Sequence, residues 1–284
     1  MRWRRNIPSF MQVDDHEYDP DGADAQQLSQ YRQHYGDEGI TEGEQLAALG
    51  YCREAQLAYH ATNPQTVPGE TYFSVGIGQA LFVCTESIYR RNSFKDVDSE
   101  SKRMYEADQE EWFLQQMSRS DYRFKVWVSS KQFRSCMGRN GDGWIAGQAS
   151  LFTNGAKSYT TQFRRILSDS RFPRAGALAL GGDEHVLWDQ VVTPGEFDAG
   201  AAGISQIGAG PCTIDGIPDP DWGDTYPAGC RSKSRMFVDE GRKGEQGYVL
   251  LHCQPDRVSR YVLSSRYGLR YAGYISTADN VVRR

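Results

Sequence analysis

The sequence predicts an α+β fold, in which a helical N-terminal third is followed by a mostly antiparallel β body with a sandwich or jelly-roll-like arrangement. Three observations predict it. Helical patterns occupy the chain before residue 64, about eight to ten short strand-like runs follow residue 70, and no repeat of fixed period is visible. The chain has 284 residues, enough for one large domain with a buried core. We expect a single domain over residues 24–284, preceded by an extended arm over residues 1–23.

The predicted arm is strongly acidic. Six acidic residues fall within positions 14–24, with no lysine or arginine among them: Asp14, Asp15, Glu17, Asp19, Asp21 and Asp24. A segment of this kind cannot bury enough apolar surface to fold by itself. We therefore expect neighbouring molecules to hold the arm in place.

Two helices are predicted before the first strand. The first begins near Asp24 and stops at Gly36. The second begins at Thr41, which forms a capping box with Glu44. It ends before Pro64, because the residue before a proline is pushed away from helical angles.

Two further helices are predicted between strands. One covers DVDSESKRMYEADQEEWFLQQM, where Asp96 or Asp98 caps the start and apolar residues recur along one side. The other is a short helix in YTTQFRRIL, which starts at Tyr159.

Strands are predicted where apolar residues alternate or run together between turn residues. They are TYFSVGIGQALFVC, YRFKVWVSS, GWIAGQASLF, GALALGG, HVLWDQVV, RMFVDE, GYVLLHCQ, RYVLSS and RYAGYIS. In the second of these, the alternation of Phe124, Val126 and Val128 with their neighbours predicts a strand with one buried face.

Residues 194–230 form the longest stretch without signals of regular structure. The stretch is 37 residues long, whereas structureless loops in compact domains rarely exceed about 12–15 residues. Its glycines, prolines and aspartates therefore predict a loop that either has a function of its own or is held by a partner.

Composition and charge restrict the function. The chain has 32 Lys and Arg against 37 Asp and Glu, a net charge of −5. This balance does not suit a protein that coats nucleic acid, although it leaves nucleic acid open as a secondary partner. No apolar run has the length of a signal peptide or a membrane span. We therefore expect no membrane contact and a location in a virion or in the cytoplasm.

The charge is unevenly distributed along the chain. Residues 231–284 hold 11 Lys and Arg against 5 Asp and Glu, so this end is basic while the rest is acidic. Opposite charges predict contacts between copies of the chain or with other subunits of an assembly, and arginine and aromatic residues favour such interfaces. The predicted interface residues are Asp14, Asp15, Asp19, Asp21, Trp222, Arg260, Arg266 and Arg270.

One short motif points to an enzyme. The sequence YHAT at residues 59–62 resembles the Tyr-His-x-Thr motif of diphtheria-toxin-like and poly-ADP-ribose-polymerase-like ADP-ribosyltransferases. The resemblance implies an NAD site in which His60 contacts the ribose, Tyr159 stacks on the nicotinamide and Glu245 orients the ribose. Ala61 departs from the glycine of that family, and the surrounding pattern is helical. His60 equally fits the last turn of a helix, where it meets the negative end of the dipole.

Two acidic clusters are candidates for metal binding or acid–base chemistry. In DGIPDPDWGD, carboxylates could converge on calcium, or each could cap its own backbone in a series of turns. These carboxylates are Asp215, Asp219, Asp221 and Asp224. The run GGDEHVLWD gathers Asp183, Glu184, His185 and Asp189, which could form an acid/base cluster, although such a run is more often a solvated turn. We predict no metal and no other cofactor.

The hypothesis that these observations favour is a structural component of a large assembly, such as a virion or phage particle. It would act through protein–protein contacts rather than catalysis. The alternative is an ADP-ribosyltransferase-like enzyme that transfers ADP-ribose from NAD. A further alternative is a carbohydrate- or ligand-binding β module that uses residues 194–230 with Trp222.

Overall fold

The computed structural model describes residues 10, 12, 42–59, 66–92, 96–133, 143–145, 158–182, 187–209, 234–237, 247–264 and 267–283. The helices within these ranges are α1 (Glu42–Tyr59), α2 (Ala107–Met117) and α3 (Thr160–Ser168). None of them is long and apolar enough to cross a membrane. The strands are β1 (Phe73–Ile77), β2 (Ala80–Thr85), β3 (Phe124–Ser129), β4 (Ala177–Gly181), β5 (Leu187–Val192), β6 (Ile204–Ala209), β7 (Ser234–Phe237), β8 (Gly247–Cys253), β9 (Arg257–Ser264) and β10 (Gly268–Ser276).

The strands form two sheets. Sheet A has seven strands in the order β1-β2-β3-β4-β6-β5-β7, and sheet B has three in the order β10-β9-β8. At the centre of sheet A, β2, β3, β4 and β6 run parallel to one another. Its outer pairs and all of sheet B are antiparallel. Parallel neighbours need long crossover connections, and α2 and α3 lie in the two connections that join β2 to β3 and β3 to β4.

The predicted fold class is therefore wrong. The described chain is mostly β with three short helices, not a helical N-terminal third followed by an antiparallel body. The alternation seen in β3 misleads because both faces of this strand are covered. Lys125 is only 7% exposed and Trp127 is fully buried, although both lie opposite the apolar face that the pattern predicts. Parallel strands are typically buried on both faces.

Sheet A is the middle layer of three. One face packs against α2 and α3, where Trp127 of β3 contacts the rings of Phe113 and Phe163 at centroid distances of 4.8 and 6.0 Å. The other face packs on sheet B, where Val126 and Leu178 share an apolar cluster with Val258 of β9 and residues of β10. Apolar side chains thus cover both faces of the central strands. Polar residues can gather at the ends of these strands.

Two local features differ from the predictions. Helix α2 begins at Ala107, after Glu106, rather than at Asp96 or Asp98. The carboxylate of Asp98 instead accepts the amide of Thr161, in the first turn of α3, with N–O distances of 3.1 and 3.3 Å. The aspartate is a helix cap, but for the helix that follows β3 in the chain.

Strand β6 lies inside the stretch 194–230, where the sequence shows no signal of regular structure. It pairs in parallel with β4 and antiparallel with β5. Gly208 is required here by close packing, because a Cβ at this position would overlap the ring of Trp188 on β5. The glycine therefore marks a tight sheet contact. The rest of this stretch, residues 210–230, lies outside the described residues.

The C-terminal segment fixes the start of the central strands. Asn280 is 4% exposed and makes three hydrogen bonds. Its Oδ1 accepts the amide of Ala177 at 2.7 Å, and its Nδ2 donates to Pro173 O at 2.8 Å and Gly203 O at 2.9 Å. One side chain thus joins the entries to β4 and β6.

Replacing Asn280 by Ala is expected to lower the free energy of unfolding by about 2–4 kcal/mol, because it leaves buried backbone groups without partners. Urea unfolding followed by fluorescence measures this change. Val281→Ala is the matched control, since Val281 is 44% exposed and its truncation is expected to change stability by less than about 0.5 kcal/mol. Equal stability of the two variants would show that Asn280 does not fix the strands.

Candidate functional site

The carboxyl ends of the central parallel strands lie side by side. Thr85, the last residue of β2, is in register with Ser129, the last residue of β3, and Ser129 is in register with Gly181 at the end of β4. In open α/β sheets, ligands bind outside the carboxyl ends of the strands. We call residues 85–91, 129–133 and 181–182 the carboxyl edge.

A buried hydrogen-bond network supports this edge from the helical layer. The hydroxyl of Tyr105 lies 2.6 Å from Thr85 Oγ1 and accepts the indole N–H of Trp127 at 3.0 Å. The indole of Trp144 donates to Ser129 Oγ at 3.4 Å. Burial raises the pKa of Tyr105 well above its usual range, so the phenol stays protonated and can serve the network as donor and acceptor.

The segment after β3 is held in place by β6. Gln206 donates from Nε2 to Lys131 O at 3.0 Å, and its Oε1 accepts the amide of Phe133 at 2.6 Å. Gly182 donates its amide to Ser130 O at 3.2 Å, which links this segment to the end of β4. Ser130 Oγ is buried and has no hydrogen-bond partner among the residues that the structure describes. A buried hydroxyl in this state is typical of a place where a ligand or water binds.

The segment after β2 forms a turn around Glu86. Its Oε1 accepts the amides of Ile88 at 2.6 Å and Tyr89 at 2.8 Å. Burial raises the pKa of Glu86, and these two bonds together with the positive charge of Arg91 oppose that rise. Arg91 itself is fully buried.

The N-terminal segment reaches the same edge. Gln12 donates from Nε2 to Thr85 O at 2.6 Å and to Val128 O at 2.9 Å. The ring of Phe10 lies 6.3 Å from that of Phe73 in β1. The two described residues of the predicted arm thus contact the body of the same chain.

This arrangement can bind an anion. Two cationic side chains, Arg91 and Lys131, are fully buried in the segments that follow neighbouring parallel strands. Guanidinium and ammonium groups bind phosphate well. Among the described residues, no three His, Cys, Asp or Glu side chains come together as a group that could hold a metal ion.

Of the three residues predicted for an NAD site, the structure describes Tyr159 alone. Tyr159 is fully buried at the start of α3, and its hydroxyl donates to Asn92 O at 2.6 Å. Lys102 Nζ lies 4.5 Å from the centre of its ring, and the buried ring has no exposed face on which a nicotinamide could stack. His60 and Glu245 lie outside the described residues, as do the calcium candidates Asp215, Asp219, Asp221 and Asp224.

Two of the predicted interface residues can be placed. Arg260 is fully buried and donates to Asp189 Oδ2 at 3.1 Å, so it does not lie on a surface of this chain. The prediction counts Arg260 among the basic residues of the C-terminal end and therefore expects it at the surface. Alternation along β9 instead turns residue 260 toward sheet A. Arg270 is exposed and lies 5.2 Å from the centre of the Tyr267 ring. Asp14, Asp15, Asp19, Asp21, Trp222 and Arg266 lie outside the described residues.

Sequence reasoning missed the residues of the carboxyl edge. The available signal is a short polar run at the end of each apolar strand. TES begins with the last residue of β2, and SSKQ begins with the last residue of β3. Such runs gain meaning only when the strands are known to be parallel neighbours, because only then do they meet at one edge.

A layered α/β sheet with polar and cationic residues at the carboxyl ends of its parallel strands defines an enzyme-like class of ligand-binding protein. The family model of PhoD-like phosphatases matches residues 2–260. The chain therefore belongs to the PhoD-like phosphatase family.

The comparison with solved structures supports the fold. A solved structure described as "Structure of PhoD" aligns with a TM-score of 0.59 and 14% sequence identity. The alignment covers 87% of this chain and 50% of the PhoD chain, so this chain spans half the length of that relative. No curated protein sequence matches the chain.

Family membership corrects the functional predictions. The interpretation as a virion or phage structural protein is wrong, as are the ADP-ribosyltransferase alternative and the ligand-binding β module. The expectation that the chain lacks catalytic function is also contradicted, because the family is one of phosphatases. Contacts with copies of itself or with other subunits stay a prediction.

Proposed function

We propose that this chain hydrolyses phosphate esters and that Arg91, Ser130 and Lys131 of the carboxyl edge bind the phosphate group. The observation that carries the proposal is the position of Arg91, Ser130 and Lys131, all buried, in the segments after two adjacent parallel strands. Membership of a phosphatase family supports the same chemistry.

Hydrolysis replaces the ester oxygen on phosphorus with the oxygen of a water molecule. The bond between phosphorus and the ester oxygen breaks, and the alcohol leaves with a proton. Charge is spread over the non-bridging phosphate oxygens in the transition state, so fixed cations and hydrogen-bond donors there lower the barrier. Arg91 and Lys131 supply cations, and the hydroxyl of Ser130 supplies a donor.

Proton transfer requires further groups, and the sequence supplies candidates. Asp183, Glu184 and His185 follow Gly182 directly in the sequence and belong to the predicted acid/base cluster. These three residues lie outside the described part of the chain. We include Asp183 and His185 in the proposal as the general acid and base, since imidazole and carboxylate groups perform this role most often.

The test is an assay with p-nitrophenyl phosphate and bis(p-nitrophenyl) phosphate, with release of nitrophenol measured by absorbance. Reactions run with a chelator and with added divalent cations, because carboxylate and imidazole groups bind such ions. Turnover is expected with at least one ester. Asp183→Asn and His185→Gln are each expected to slow it about 10²-fold with unchanged melting temperature.

Arg270→Ala serves as the control, because Arg270 is exposed on sheet B. It is expected to retain the activity of the unmodified chain. No turnover of either ester under any of the ion conditions would contradict the proposed function.

A further inference from the structure

The turn at residues 86–91 is the part of the carboxyl edge whose contacts the structure gives in most detail. Glu86 follows β2 directly and is 6% exposed. Its carboxylate binds the backbone amides two and three residues ahead, at Ile88 and Tyr89. A side chain that accepts these amides acts as a helix N-cap does, and it closes the backbone into one compact turn.

Helix α2 also binds Glu86, through the side chain of Gln109. Gln109 accepts the amide of Glu86 at its Oε1, with an N–O distance of 2.9 Å, and donates from Nε2 to Glu86 O at 2.8 Å. This pair of bonds occupies both backbone groups of Glu86. Since α2 packs on sheet A through Phe113, the turn is fixed relative to the sheet.

Two consecutive arginines at the end of the turn have different surroundings. Arg90 faces outward and pairs with Glu70 at 3.0 Å and Glu106 at 3.1 Å, with its side chain 32% exposed. Arg91 is fully buried, and its positive charge opposes the rise that burial causes in the pKa of Glu86. Arg91 comes directly after the segment that the bonds of Glu86 and Gln109 hold in place.

We propose that Glu86 is a positioning residue of the phosphatase site, which with Gln109 holds the turn in the shape that presents Arg91 to the substrate phosphate. The inference rests on the proposed function. Glu86 does not touch the substrate in this assignment. Its effect on the reaction is indirect, since a guanidinium displaced by about 1 Å can cost about 10²-fold in rate.

The experiment compares Glu86→Ala, Glu86→Gln and Gln109→Ala with the unmodified chain. Measured are kcat and KM for the better nitrophenyl ester, the inhibition constant of inorganic phosphate, and stability in urea. Glu86→Ala is expected to lower kcat/KM about 10²-fold and Gln109→Ala about 10-fold, with weaker inhibition by phosphate in both. Glu86→Gln is expected to stay within about 5-fold, because its amide oxygen can still accept both backbone amides.

Gln115→Ala is the matched control for Gln109→Ala. Gln115 lies on the same helix, but its side chain bonds to Glu111 at the surface. This variant is expected to keep the kinetics of the unmodified chain. If Glu86→Ala does not fold, Glu86→Gln and Gln109→Ala still decide the matter.

The outcomes separate the two proposals. An active unmodified chain whose Glu86→Ala and Gln109→Ala variants lose only stability, with kcat/KM and phosphate inhibition unchanged, would overturn the positioning role alone. The same holds if Glu86→Gln is impaired as strongly as Glu86→Ala. An inactive unmodified chain that phosphate does not stabilise would overturn the proposed function and this role with it.

Discussion

Replacing Arg91 by methionine is expected to lower kcat/KM for the nitrophenyl esters by roughly 10³-fold. Arg91 is fully buried in the segment that follows β2, and water does not screen a buried charge. A fixed donor aimed at developing charge is worth about 10²–10³ in rate. Methionine keeps the length and apolar stem of the side chain, so the loss isolates the guanidinium.

Arg90→Met is the matched control for this prediction. Arg90 is the preceding residue and has the same chemistry, but its ion pairs with Glu70 and Glu106 face outward. We expect its kcat/KM to stay within about 3-fold of the unmodified chain, since its guanidinium is paired with these two carboxylates. If both variants lose activity equally, the assignment of Arg91 to the site is wrong. Steady-state kinetics with melting curves on both proteins measure the difference.

Several elements could be predicted from local sequence. The capping box of Thr41 and Glu44 predicts a helix here, and the structure has α1 at Glu42–Tyr59. The run YTTQFRRIL predicts a short helix, which is α3. Alternation also predicts β9, whose residues are alternately buried and partly exposed. In each case the signal lies within about ten residues, and the partner of the element does not matter.

The parallel core could not be predicted in this way. An apolar run such as ALFVCT has the same appearance whether its neighbours are parallel or antiparallel, because pairing is decided by residues 40–50 positions away. The candidate site could not be predicted for the same reason. The edge brings together Glu86, Ser130 and Gly182 only because β2, β3 and β4 are adjacent. No local motif joins these residues in the sequence.

The run GGDEHVLWD shows how a cluster in sequence can divide in space. Gly182 remains at the carboxyl edge through its bond to Ser130 O. Asp189, seven residues later, lies in β5 and pairs with Arg260. Asp189 belongs to the predicted acid/base cluster, and Arg260 is a predicted interface residue. The structure instead joins the two in an ion pair between β5 and β9.

This ion pair connects the two sheets. Arg260 of β9 donates to Asp189 Oδ2 in β5 at 3.1 Å, to the hydroxyl of Tyr271 in β10 at 3.3 Å, and to Ser205 Oγ in β6. Its side chain is fully buried, and that of Asp189 is 10% exposed. Arg260→Ala is expected to lower the free energy of unfolding by about 3–5 kcal/mol, because it leaves a buried carboxylate without its main compensating charge. Urea unfolding measures this loss, with Arg270→Ala as an exposed control expected to change stability by less than about 0.5 kcal/mol.

A double variant distinguishes the cost of a broken pair from the value of the pair itself. Replacing both partners, as Arg260→Met with Asp189→Leu, removes the buried charges together and fills the space with apolar groups. Such replacements are often neutral or stabilising, so the double variant is expected to be more stable than Arg260→Ala and to recover most of the loss. A double variant as unstable as the single one would mean that the hydrogen bonds to Ser205 and Tyr271, rather than charge compensation, hold sheet B on sheet A. If Arg260→Ala were as stable as Arg270→Ala, Arg260 would have no part in joining the sheets.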